Sequence, residues 1–199
     1  MNHAKTIAIG TIVVIAAIAV PLSQQVLGST SSTITTPFDA FLGHDRGALG
    51  RDGGVVPDGV TVHDDSYPAV ANLDSDLLQA LRDAADDAAA SGITFQVNSG
   101  WRSEAYQEQL LDDAVDEYGS REEAARWVAT PETSAHVSGD AVDISQGDAT
   151  TWLARHGSSY GLCQVYRNEP WHFELRPEAR QIGCPRPYAD PTEDPRLQQ

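Results

Sequence analysis

The 199-residue sequence is nearly devoid of lysine. Lys5 is the only one, so a lysine cannot be a catalytic group anywhere beyond the extreme N-terminus. Positive charge as a whole is scarce, since 13 Lys and Arg face 29 Asp and Glu and leave a formal charge of −16. A surface of that sign repels a phosphate backbone, which argues against nucleic acid as a partner. Cysteine is scarce too: Cys163 and Cys184 are the only two, with no CxxC or Cys-rich pattern of a structural metal site. No internal repeat is present. The composition is otherwise that of an ordinary globular chain, 41% hydrophobic and 21% charged. It suits a single domain with a real core and argues against wholesale disorder.

One uncharged apolar run stands apart. It extends from Ile7 to Val20 behind Lys5, and Pro21 and a Ser/Thr-rich stretch from Gly28 to Thr36 follow it. About fourteen residues is short for a membrane span and typical of a signal-peptide core. Residues 1–28 are therefore expected to be a signal peptide, cleaved near Val26-Leu27-Gly28, or an uncleaved anchor holding the chain to a membrane through residues 7–20. Either places the domain outside the cytoplasm. In an oxidising compartment Cys163 and Cys184 most simply form a disulfide, closing a loop of about 20 residues worth roughly 3 kcal/mol. Two free buried thiols are the alternative.

Residues 29–70, punctuated by Gly47, Gly50, Gly53, Gly54, Pro57 and Gly59, read as a linker or N-terminal extension that wraps onto the domain and carries no chemistry. Regular structure is expected over 71–185. Leu77, Leu78, Leu81, Ala84, Ala85 and Ala88 repeat at helical spacing between a cap at Asp74 or Ser75 and a stop at Gly92. Ile93, Phe95 and Val97 alternate as a short strand. Ser103 opens a second helix that Gly119 ends, and Ser120 with Glu123 makes a capping box for a third reaching about Val128. Asp140–Ile144, Gln164–Tyr166 and Trp171–Leu175 read as strands, with a short helix over Ala149–His156. From Pro185 the chain is Pro-rich and reads as a frayed tail, residues 186–199. Helices first and short strands later, without βαβ alternation, predict an α+β domain with helices packed on a small, mainly antiparallel sheet.

Chemistry concentrates in two of these segments. In Ser134-Ala-His136-Val-Ser-Gly139-Asp-Ala141-Val-Asp143-Ile144, Val142 and Ile144 share one strand face and Ala141 and Asp143 the other. Gly139 lets the chain turn so that His136 swings back towards Asp143. In Glu169-Pro-Trp171-His172-Phe173-Glu174-Leu175, His172 and Glu174 project opposite Trp171, Phe173 and Leu175. Two histidines and one carboxylate, His136, Asp143 and His172, match the donor set of a catalytic zinc with an open fourth position, the alternative being three separately satisfied polar residues. A base must accompany it. Glu174 shares the strand face of His172, whereas Glu169 reaches the site only if Pro170 breaks the strand into a turn. The pattern leaves both open. His156, at a helix end before Gly157, is better suited to the helix C-terminus, and His3, His44 and His63 fall in the leader or linker.

From about Leu73 to Gly183 the sequence resembles the VanY-type zinc D-alanyl-D-alanine carboxypeptidases. Their relatives include the VanX-type D,D-dipeptidases, and the group shares its fold with the hedgehog signalling domain. The resemblance rests on Ser99-Gly-Trp-Arg-Ser103 running into Tyr106-Gln107, on the Ser134-to-Asp143 string, and on Glu169-Pro-Trp-His172, in that order. It implies a hedgehog/DD-peptidase-like fold and one catalytic Zn2+ on His136, Asp143 and His172, with Glu169 as general base and then acid. It further implies Arg102 as the group that holds a terminal carboxylate, for which a guanidinium offers a bidentate fork, and Ser134 as a partner of substrate or ligand. Tyr106 and Trp171 are further candidates for substrate contact, Tyr106 alternatively packing with Trp101 as wall and core. The implied activity is removal of the C-terminal D-Ala from peptidoglycan stem peptides ending in D-Ala-D-Ala, by a monomer. A D,D-dipeptidase, a stem-peptide endopeptidase and a non-catalytic zinc-containing cell-wall binding module are the rival readings.

Overall fold

A computed structural model describes residues 50–198. The leader 1–28 and the first part of the 29–70 extension lie outside the described residues. No helix among the described residues is long and apolar enough to cross a membrane.

Four short strands form one antiparallel sheet in the order β1-β2-β4-β3: β1 (Val97–Ser99), β2 (Ala141–Ile144), β3 (Leu162–Gln164) and β4 (His172–Leu175). Helices α1 (Pro68–Ala71), α2 (Ser75–Ala89), α3 (Glu104–Tyr118), α4 (Arg121–Ala124), α5 (Ala135–Ser138), α6 (Asp148–His156) and α7 (Ala179–Ile182) surround it. The arrangement is the expected α+β one.

The sheet has two different faces because side chains alternate along a strand. Val142, Ile144, Leu162 and Phe173 join the main core, which Leu77, Ala80, Leu81, Ala84 and Ala88 of α2 complete. Helix α2 has this apolar stripe because its hydrophobic residues recur every three or four positions. Asp74 starts it by accepting from the backbone N–H groups of Asp76 and Leu77 at 3.0 and 3.1 Å. The opposite sheet face carries the polar residues in register. Ser99 pairs with Asp143 and Asp143 with His172, which sets three side chains in a row across three strands. Ala141 pairs with Glu174 in the next row.

Several boundaries differ from the sequence reading. Residues 50–70 are part of the domain: Val60 and Val62 are buried in the main core, and Val97 N–H donates to Val60 O at 2.8 Å. The strand expected over 93–97 joins the sheet only from Val97, and Gln96 before it bridges Thr61. The helix expected to reach Val128 stops after Ala124, although Ser120 caps it as anticipated. The chain then turns so that Trp127 stacks on Tyr118, with ring centroids 6.0 Å apart, beside a small cluster of Leu111, Ala114 and Ala124. The strand expected over Gln164–Tyr166 lies two residues earlier. Tyr166 instead bridges Tyr188 of the tail.

The tail is not frayed. Two 3-10 turns, Pro191–Glu193 and Pro195–Leu197, fold back on the domain, and Asp190 and Asp194 are buried. Buried carboxylates need partners, and here they cap the two turns and meet Arg126, Arg196 and Tyr166. Cys163 and Cys184 form a disulfide that ties β3 to the chain following α7.

Candidate active site

Three elements bring His136, Asp143 and His172 together. Asp143 is carried on β2 and His172 directly opposite it on β4. His136 sits on α5, a single turn that Ser134 starts by accepting from His136 N–H at 3.3 Å. Gly139 ends that turn at φ 82°, where the chain passes so close to Asn72 that a Cβ would lie 2.6 Å from its carbonyl oxygen. Only glycine meets both demands at once. Helix α5 is then locked to the loop after β1, because Arg102 N–H donates to His136 O at 3.1 Å and His136 Nδ1 lies 2.8 Å from Gly100 O.

The hydrogen bonds on the outer sides of the two imidazoles decide which nitrogens face inward. A carbonyl oxygen only accepts, so His136 Nδ1 carries the proton and Nε2 turns its lone pair to the centre. His172 Nε2 is likewise committed to the carboxylate of Glu174, at 3.2 Å, which directs Nδ1 to the centre. His136 Nε2 and His172 Nδ1 are 3.3 Å apart, and Asp143 oxygens lie 3.4 and 3.3 Å from them respectively. One ligand atom from each residue falls within 4.8 Å of the others. Asp143 Oδ1 is buried and accepts no hydrogen bond from the protein. Two imidazole nitrogens and a carboxylate oxygen converging in a buried spot fit a cation, and N and O donors of this kind suit zinc.

The electrostatics set the two histidines apart. Burial alone would lower His172, but Asp143, Glu174 and Glu169 outweigh it and raise the imidazole to about 10. Burial would raise Asp143, yet His136, His172 and Arg102 hold its carboxyl well below the usual range. His136 is lowered, by burial first and then by Arg102.

The turn at Pro170 sets the two glutamates in different places. His172 N–H donates to Glu169 O at 3.1 Å, which closes a tight turn and brings the Glu169 carboxylate round to 3.8 Å from His172 Nδ1. Glu169 lines the same cavity as the two histidines and Asp143. Its Oε1 is buried without a hydrogen-bond partner, and burial pushes the carboxyl up to about 8. Glu174 stands behind His172 instead. Its carboxylate receives His172, Arg176 at 2.7 Å and Arg196 at 2.7 Å, and these partners hold it well below the usual range despite its burial.

Arg102 is 6% exposed and meets three acceptors: Ser99 Oγ at 2.7 Å, Gln107 Oε1 at 3.1 Å and Asp143 Oδ2 at 2.9 Å. A guanidinium has five N–H donors, so two remain for the cavity it lines. Ser134 lines that cavity as well, but Tyr106 and Trp171 are not among its lining residues. The aromatic walls are Tyr118, Trp127 and Tyr166. Sequence reasoning overlooked these three, because a wall is made by residues distant in the chain and has no local pattern. It overlooked Pro191 and Leu197 of the tail for the same reason.

The VanY D-alanyl-D-alanine carboxypeptidase family profile matches residues 70–178. A D-alanyl-D-alanine carboxypeptidase of Enterococcus faecalis is 32% identical over an alignment of 118 residues, in a match that covers 47% of this chain and 44% of that protein. The chain thus spans less than half the length of this curated relative. Among solved structures, the vancomycin resistance D,D-pentapeptidase VanY from a VanB-type resistance cassette, in complex with Zn(II), is 30% identical with a TM-score of 0.52. That match covers 56% of this chain and 78% of the other. VanYB in complex with D-alanine-D-alanine is also 30% identical with a TM-score of 0.52, covering 56% of this chain and 76% of the other. With more than half of its residues matched by the profile and the whole donor cluster inside the match, the chain belongs to the VanY D-alanyl-D-alanine carboxypeptidase family.

Proposed function

We propose that the protein is a zinc-dependent D-alanyl-D-alanine carboxypeptidase that removes the terminal D-Ala from peptidoglycan stem peptides outside the cytoplasm. The observation that carries this reading is the buried meeting of two inward-facing imidazole nitrogens with an Asp143 oxygen, beside Glu169, whose Oε1 is buried without a hydrogen-bond partner. His136, Asp143 and His172 would hold the zinc. When bound, zinc supplies Lewis acidity, which polarises a carbonyl and acidifies water.

Glu169 serves as proton acceptor and then donor. Its carboxylate takes a proton from the attacking water and returns it to the departing amine of D-Ala. Its desolvated setting suits both steps, because a carboxyl raised towards neutrality holds a proton more readily than an exposed one. Arg102 offers its two remaining N–H donors to the terminal carboxylate, which places the scissile bond one residue from the chain end. In a protein of formal charge −16, a dedicated cation is needed to receive an anionic chain end. Ser134 lines the same cavity and is a further partner for the peptide. The relatives' names and the D-alanine-D-alanine complex of VanYB support the substrate class. The apolar run over residues 7–20 and the disulfide support a site of action beyond the membrane.

Free D-alanine release from a stem pentapeptide by the purified chain, with and without a zinc chelator, tests this. Chelator-sensitive release of one D-alanine is expected. Release of intact D-Ala-D-Ala would make the protein an endopeptidase cutting one bond earlier. No release from folded, zinc-loaded protein would make it a binding module.

A further inference from the structure

The C-terminal segment Asp190–Leu197 lies beyond the part of the chain matched by the family profile, yet it reaches His172 by two separate routes. By the first, Arg196 NH1 donates to Glu174 Oε2 at 2.7 Å and NH2 to Glu174 Oε1 at 3.3 Å. Glu174 Oε1 in turn meets His172 Nε2 at 3.2 Å, on the side of the ring facing away from the donor cluster. By the second, Asp194 Oδ2 accepts from Tyr166 O–H at 3.0 Å, and the Tyr166 ring lies against the His172 imidazole with centroids 5.1 Å apart. Asp194 also orients Arg196, accepting from its backbone N–H and its Nε at 3.0 Å. Asp194 is fully buried, whereas the Arg196 side chain is 43% exposed. The turn therefore holds an exposed arginine against a buried carboxylate.

We propose that Arg196 is a positioning residue for the metal centre: held by Asp194, it fixes the Glu174 carboxylate, which in turn orients His172 as a ligand. The inference rests on the zinc reading above. Partners behind a ligating histidine set its ring orientation and tautomer, and their loss typically weakens metal binding 10–100-fold. Arg176 also donates to Glu174 Oε2, but no hydrogen bond joins it to Oε1, the oxygen that meets His172. The two-point grip of Arg196 on both oxygens is what stops the carboxylate rotating. The tail is thus part of the site, supplied from outside the family's matched segment.

The test is zinc affinity, measured by competition with a chromogenic chelator at a temperature where every variant is folded. The wild-type chain should bind one equivalent. Arg196→Ala should weaken binding about 10–100-fold, Arg196→Lys by less, and Arg186→Ala, an exposed control, by less than about twofold. In a Glu174→Gln background, Arg196→Ala should add less than about twofold, since both changes break one relay. An unchanged affinity in Arg196→Ala, or its full effect persisting in the Glu174→Gln background, overturns the proposal while leaving the zinc reading intact. Absence of zinc binding by the wild type overturns both. If Arg196→Ala does not fold, Arg196→Lys and Glu174→Gln carry the same comparison, and wild-type affinity in both refutes the relay.

Discussion

Replacing Glu169 by Gln should sharply lower turnover and at the same time stabilise the chelator-treated protein at high pH. The two effects have one cause. Glu169 is buried, its Oε1 has no hydrogen-bond partner, and its carboxyl is raised from 4.5 to about 8. A group whose folded value lies above its unfolded one binds more protons when folded between the two. Its contribution to stability is therefore full below about pH 4.5 and is lost as pH rises to about 8. At about 1.4 kcal/mol per pH unit, the charged carboxylate costs at most about 5 kcal/mol above that window. Gln carries no charge but still buries an amide, which returns about 1–3 kcal/mol of the gain. The net stabilisation at about pH 9 is then about 2–4 kcal/mol, or roughly 4–16 °C in a chain of this size. At about pH 4.5 the difference should vanish or reverse slightly, because the wild-type carboxyl is neutral there as well. Loss of general acid–base assistance should lower kcat about 10²–10⁴-fold, with one equivalent of zinc still bound. Thermal unfolding at both pH values, zinc titration and D-alanine release provide the readouts. An unchanged kcat would move the base elsewhere, and an equal shift in Tm at both pH values would refute the desolvation argument.

Three further expectations concern other parts of the structure. Arg102→Ala should reduce kcat/KM for peptides with a free C-terminus by at least about tenfold, given the 2–5 kcal/mol typical of a buried, hydrogen-bonded charge. A matched series of free-acid and C-terminally amidated peptides should lose its discrimination, and an unchanged series would leave Arg102 as a structural partner of Ser99, Gln107 and Asp143. Gly139→Ala should destabilise the fold by more than about 1 kcal/mol, because it combines a positive φ with a close contact to Asn72 O. Displacing α5 should also weaken zinc binding, so wild-type affinity and Tm together would show the turn to be tolerant. Cys163→Ser with Cys184→Ser should cost about 3 kcal/mol in denaturant unfolding, from the 21-residue separation of the bridge. A change below about 1 kcal/mol would mean that packing alone holds that loop.

What the sequence determined by itself was local. Helical spacing located α2 and α3 to within a residue or two, and alternation located β2 and β4, because each signal is carried by neighbours in the chain. The same alternation placed Asp143 and His172 on polar strand faces, and separate motifs pointed to His136 and Arg102. Strand register could not be read in this way. The pairing of Asp143 with His172, and of Ser99 with Asp143, depends on which strands meet and how far they slide.

The choice between Glu169 and Glu174 had the same limit. A regular strand would place Glu174 beside His172 on the cavity side, and only the folded Pro170 turn shows Glu169 at the cavity and Glu174 behind the ring. The tail was misread because its Pro-rich composition looks like an unpacked end. Asp190 and Asp194 become structural only when Arg126, Tyr166 and Arg196 approach them from elsewhere. Composition and periodicity record what each segment prefers alone. Contacts between Arg196 and Glu174, 22 residues apart, or Arg102 and Asp143, 41 apart, exist only after the chain has closed on itself.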